Sequence, residues 1–454
     1  MTQPNSSPIA ATLAWLSRED DPDPLQNLVP LRRHLRGLLA ASLSPAQGRE
    51  LATTLLPRLA ATENALLGLL RNASLPLAPP LRTLTQVMGQ VHELQTQVSP
   101  SREASLLRQM LIGFLSGVRL PAGFWMRVRD AMKMETDAAT GLPGAMLALA
   151  AAQPESFAPP ELIFLGKLIH DQGDKVRVQR HRPDQDGDWY WLDCAQDQLP
   201  VALRRRPPPR EGDLIYFHCV DLGEYFASRL VHLEAGIPVR QLDLPAEEDQ
   251  AVCISALRRA LMHWTKPPTR TQIRRRSNRR VQVCTRLGEI WDLLRDGATG
   301  LNHCSDWLVL NENPSGYALM HLSGETGGLV AGSVLGLRPT PATPWSIWLV
   351  RWVRTENADN LEVGLELLAP GAVAVRIATN NATAEPVAAL LLTSPPRLDQ
   401  REALLIPRAP ASRRDFTLLT ESRGRIKLTA CRPGSLRHQT SSVEIFEFER
   451  LPLT

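Results

Sequence analysis

No run of roughly 18 apolar residues occurs anywhere in this 454-residue chain. The richest stretch, Ala145–Ala152, is too short to cross a bilayer, so membrane insertion is not expected. The opening residues, Met1–Leu16, lack the basic flank and apolar core of a secretory signal. Cysteine is sparse. The six thiols (Cys194, Cys219, Cys253, Cys284, Cys304 and Cys431) form no CxxC pair and no framework spacing. That pattern excludes a disulfide scaffold and points to reduced thiols in a cytoplasmic protein. His303-Cys304 has no second pair at zinc spacing, so no metal site is expected. Signatures of catalysis are missing as well: no GxSxG, no HExxH, and no GK(S/T) after the glycine-rich Gly324–Gly332. An enzyme is therefore not expected, and no cofactor. Aromatic residues make up only 5% of the chain, and the net charge of +4 is small for its length.

What is present is a chain long enough for about three or four domains, punctuated by 37 prolines and 28 glycines. The fold class expected is α+β and multidomain, a helical N-terminal bundle followed by β domains. Residues 1–28 read as a flexible N-terminus. Residues 29–152 read as helical: Leu31, Leu35 and Leu38, then Leu51, Leu55 and Leu59, recur at helical spacing. Further helices are expected near Leu81–Gln97, Glu103–Leu115 and Ala122–Met134. Past the Pro159-Pro160 break, residues 157–240 read as a small β domain with strands at Lys175–Gln179, Trp189–Cys194, Leu214–Cys219 and Phe226–His232. A connecting helix is expected at 247–265. Short strands over 269–372, interrupted by a helix at Leu287–Arg295, and over 373–454 predict two further β units.

The sharpest local feature is Thr269–Val283. It carries Arg270, Arg274, Arg275, Arg276, Arg279 and Arg280 with no acidic residue among them. Such a concentration repels itself unless an anion relieves it. Two R-x-x-x-R spacings overlap here, Arg276 with Arg280 and Arg275 with Arg279, one residue out of phase. Downstream, Asn311-Glu312-Asn313-Pro314-Ser315-Gly316 lies between two strand patterns.

Taken together, 269–372 resembles the PilZ domain, a bacterial receptor module for cyclic di-GMP. Its signature is R-x-x-x-R in a leading loop and D/N-x-S-x-x-G on a strand of a six-stranded barrel. Val330–Leu337, Val350–Val353 and Val363–Leu367 are similar to the strands that follow. This chain departs from the pattern in placing Asn311 at the position that favours Asp and Asn313 at that of Ser, and in the helix between the motifs.

The resemblance implies a PilZ-like six-stranded barrel that binds cyclic di-GMP through Arg275, Arg276, Arg280, Asn311, Asn313 and Gly316. The chemistry fits. Guanine presents O6 and N7 as paired acceptors to an arginine fork, guanidinium planes stack on purines, and their charge meets phosphate. Gly316 is expected to let the backbone turn sharply. The expected protein is a regulatory effector that orders its 266–280 segment on binding and signals to a protein partner through the helical N-terminal domain. Two alternatives use the same residues: a nucleic-acid-binding barrel, disfavoured by the lack of aromatics near Arg274–Arg280, and a degenerate PilZ scaffold that binds only proteins.

Overall fold

The computed structural model describes residues 44–452 apart from 99–101, 133–140, 185–186, 246–247, 268, 270–272, 297–303, 356–359, 380–384, 394–401, 409–414 and 423–424, together with scattered positions before 44. The chain divides into two compact units, 1–154 with 159–270, and 271–454 with 155–158. No described helix is long and apolar enough to cross a membrane.

The first unit holds helices α1 (Pro45–Arg71), α2 (Pro79–Val98), α3 (Arg102–Ser116), α4 (Phe124–Ala131), α5 (Leu142–Ala151), α6 (Pro159–Ile169), α7 (Val220–Glu234) and α8 (Gln250–Thr265). Local chemistry sets their starts. Ser44 and Gln47 close a reciprocal capping box ahead of Pro45, and Asp249 accepts from the Ala251 and Val252 amides at 3.0 and 3.1 Å. An antiparallel sheet, ordered β1-β4-β2-β3, is built from β1 (Arg177–Gln179), β2 (Tyr190–Asp193), β3 (Val201–Ala202) and β4 (Leu214–His218).

Two helices here replace features read otherwise from the sequence. The strand expected at Phe226–His232 lies inside α7. Leu222, Phe226 and Leu233 are buried while Val231 is 62% exposed, which is the 3.6-residue period of a helix and not alternation. The Pro159-Pro160 pair opens α6 instead of breaking structure, because the first turn of a helix needs no proline N–H. Leu162, Phe164, Leu165 and Ile169 then bury almost completely.

The second unit contains two closed six-stranded barrels. The first is formed by β6 (Arg280–Cys284), β7 (Cys304–Asn313), β8 (Gly316–Ser323), β9 (Val334–Arg338), β10 (Ser346–Thr355) and β11 (Leu361–Ala369), and a two-residue strand, β5 (Arg275–Arg276), pairs with β7 on the edge that β6 uses further along. The order is β7-β6-β9-β10-β11-β8, closing back on β7. Helix α9 (Leu287–Asp296) occupies the β6–β7 connection.

The second barrel is β12 (Gly371–Thr379), β13 (Val387–Thr393), β14 (Ala403–Pro407), β15 (Phe416–Ser422), β16 (Arg425–Gln439) and β17 (Val443–Arg450). The sequence pattern missed β15, which buries Phe416 and Leu418 in this barrel's core. Ile290, Trp291 and Leu293 of α9 share one apolar cluster with Ile347 and Leu349 of the first barrel and Leu390, Leu405 and Ile445 of the second. Trp291 Nε1 donates to the Val375 carbonyl at 2.6 Å. Each such buried side chain contributes about 1.5–3 kcal/mol.

Candidate ligand-binding face

Alternation in the first barrel sorts its side chains. Val281, Trp307, Val309, Leu319, Val353 and Val363 are buried in its interior, so the residues between them on each strand point outward. Residues directly opposite in an antiparallel pair share a face. The register therefore places Arg276, Asn311, Ala318, Gly364 and Trp352 in one row on the outer surface, across β5, β7, β8, β11 and β10. The next outward row is Arg280, Leu308, Met320, Glu362 and Arg354.

Two bulges make this face. Simple alternation would send Asn311 inward after Trp307 and Val309, and Trp352 inward after Trp348 and Val350. Register shifts between Val309 and Asn311 and between Val350 and Trp352 turn both outward.

The row is chemically graded. At one end Arg275, Arg276 and Arg280 are exposed, and none of their side chains has a hydrogen bond or ion pair among the described residues. The middle is a floor of small residues, Ala318 and Gly364. At the other end the Trp352 ring lies directly on Gly364, so that a Cβ there would fall 1.9 Å from Trp352 Nε1. Gly364 is thus required by close approach. Arg354 stacks on the Trp352 ring with its centre 5.1 Å away, and bonds Glu362 Oε2 through Nε and Nη2 at 2.8 and 2.6 Å. That arginine is engaged in holding the Trp352 ring in place.

The two R-x-x-x-R registers separate. Arg276 and Arg280 stand on the face of Asn311, with Arg276 directly opposite it. Arg275 stands opposite Glu312 and by alternation points to the other face from Arg276. Arg279 is exposed but engaged: Nη2 donates to Glu312 Oε2 at 2.9 Å and to Tyr317 Oη at 3.3 Å, and Tyr317 stacks on Trp348. Asn313 and Gly316 face each other at the β7–β8 hairpin. Asn313 Oδ1 accepts from the Ser315 amide at 3.0 Å, which builds the turn. Gly316 does not bend the chain through a left-handed conformation. A side chain there would meet the Leu365 carbonyl at 3.0 Å, so its role is close strand approach. Sequence reasoning missed Ala318, Gly364 and Trp352, and only the indole in Val350–Val353 gave a signal.

Residues 299–373 match the family described as the middle PilZ domain of the cyclic-di-GMP receptor FimW. The match takes in β7 through β11 and begins after the arginine cluster. The cyclic-di-GMP receptor FimW of Pseudomonas aeruginosa is 30% identical to this chain over 105 residues, which is 22% of this chain and 17% of that receptor. No solved structure matches.

Proposed function

We propose that this chain, which carries a PilZ domain in its first barrel, is a cyclic-di-GMP receptor that binds on the outward face of that barrel. The observation that carries the reading is the row in which an unpaired Arg276 stands directly opposite Asn311, beside a small-residue floor that ends in Trp352. Arg276 and Arg280 supply forks for guanine O6 and N7 and charge for phosphate. Asn311 Oδ1 can accept one guanine N–H. Ala318 keeps the middle of the row low, and the Trp352 ring, which lies over Gly364, offers a stacking surface at its end.

Signalling follows from how the arginines are held. β5 is two residues long, and its ladder to β7 is correspondingly weak. A ligand that bridges Arg276 and Arg280 to β7 would fix the 266–280 segment, which follows α8 in the sequence, in an order–disorder switch. The reading is thus of a non-catalytic effector acting on a protein partner, with the helical N-terminal region as the docking element.

Calorimetric titration of the full chain with cyclic di-GMP tests this. Saturable binding by the wild type, weakened in Arg276→Ala, is expected. Absence of binding by the wild type at millimolar ligand would overturn the proposal.

A further inference from the structure

Cys284 and Cys304 are directly opposite each other, Cys284 ending β6 and Cys304 opening β7. The Val309 amide donates to the Arg279 carbonyl at 2.8 Å, which fixes 279 and 309 as a hydrogen-bonded position of this pair of strands. Alternation then makes 284 and 304 a position without backbone hydrogen bonds, where Cα atoms approach to about 4.5 Å and side chains are closest. Disulfides need Cα separations of about 4.4–6.8 Å. No other two of the six cysteines, all free thiols, are paired across a sheet.

We propose that Cys284 and Cys304 are a redox-responsive pair, converted to a cross-strand disulfide by a peroxide or a low-molecular-weight disulfide. The pair is asymmetric in the way such chemistry requires. Cys284 is fully buried beneath α9, in the cluster of Ile290 and Trp345, whereas Cys304 is half-exposed and packs on its edge. The hydrogen bond donated by Cys284 holds the Cys304 thiol below the usual range, aided by the Arg338 charge. The same hydrogen bond, with burial, pushes Cys284 up. Cys304, the thiol that solvent reaches, is therefore the one an oxidant meets first, with the buried Cys284 as the resolving thiol.

With hydrogen peroxide, the Cys304 thiolate takes one oxygen as the O–O bond breaks, and the departing hydroxide takes up a proton to leave as water. Cys284 sulfur then displaces hydroxide from the Cys304 sulfenic acid, and its own proton completes the second water. Two thiols are oxidised and one peroxide is reduced. The new bond would close the chain between residues 284 and 304, tying both ends of the α9 connection to the barrel.

The test treats the full chain with hydrogen peroxide or oxidised glutathione, alkylates what remains, and maps peptides without reduction. The expected result is loss of two of the six thiols, a mass decrease of about 2 Da, and one cross-linked peptide pair holding Cys284 and Cys304. The thermal midpoint should rise by several degrees and return with dithiothreitol. Cys304→Ser, at the half-exposed position, should abolish thiol loss. Cys284→Ser should stop at a Cys304 sulfenate or glutathione adduct. Six intact thiols, a cross-link between other cysteines, or Cys304 driven to sulfinic acid with Cys284 still free would each overturn the proposal.

Discussion

The two barrels of the second unit have the same strand number and closure, and both pair arginines with carboxylates: in the first, Arg279, Arg351 and Arg354 meet Glu312, Glu366 and Glu362. In the second barrel Arg432 pairs with Asp415, Arg437 with Glu447 and Arg450 with Glu402, at 2.8–3.3 Å. Exposed pairs of this kind are worth about 0–1 kcal/mol each and leave little field outside them. The first barrel differs in that Arg276 and Arg280, on the face of Asn311 and its small-residue row, have no hydrogen bond or ion pair among the described residues. The comparison teaches that the barrel itself is neutral as to function. On the proposed reading, what distinguishes the first barrel's outer face is unpaired charge set in register with a small-residue row.

Removing the uncompensated charge should have the largest effect. Contacts to charged groups are worth roughly 1.5–3 kcal/mol, so Arg276→Ala or Arg280→Ala should each weaken cyclic-di-GMP binding about tenfold to a hundredfold. The double variant should show no measurable binding. Arg432→Ala with Arg437→Ala, in the second barrel, should leave the titration unchanged. Space is the next lever. Gly364→Ala drives a methyl group into Trp352 and should cost about 1–3 kcal/mol of stability, together with ligand affinity. Gly371→Ala, opposed by a Thr393 hydroxyl that can rotate away, should barely shift the urea midpoint. Trp352→Ala removes the stacking wall and should cost roughly tenfold in affinity. The smallest effect is expected from Asn311→Asp. It should tighten binding a few-fold, because a carboxylate accepts both guanine N–H bonds where Asn offers one acceptor. Weaker binding by that variant would show that position 311 does not meet the guanine edge.

Much of the first barrel was legible from the chain. Val281 and Val283, and Trp307 and Val309, alternate as inward strand residues should, and Asn313-Pro314-Ser315 announces its hairpin. The site was legible only as a list of residues. Bulges carry no reliable sequence mark, so nothing showed that Asn311 and Trp352 turn outward, or that Arg276 lies four places along one row from an indole. The two overlapping arginine pairs could not be told apart in the sequence; in the structure Arg279 bonds Glu312 and Tyr317, whereas Arg276 and Arg280 stand on the face of Asn311. In the first unit, Phe226, Leu230 and Val231 have strand-like composition, and burial of Leu222, Phe226 and Leu233 against tertiary neighbours decided for helix.

The most direct test of the central claim is parallel titration of the full chain with cyclic di-GMP, cyclic di-AMP and a single-stranded oligonucleotide at two salt concentrations. An oligonucleotide held by four to six arginines would lose affinity with a log–log slope of roughly −3 to −4, at about −0.7 per phosphate contact. Cyclic di-GMP has two phosphates and no condensed counterion layer, so guanine contacts must supply most of its affinity. The account predicts selective binding of cyclic di-GMP with a shallow salt slope, poor competition by cyclic di-AMP, and weak, steeply salt-dependent binding of the oligonucleotide. Tight oligonucleotide binding at physiological salt, with no response to cyclic di-GMP, would contradict it.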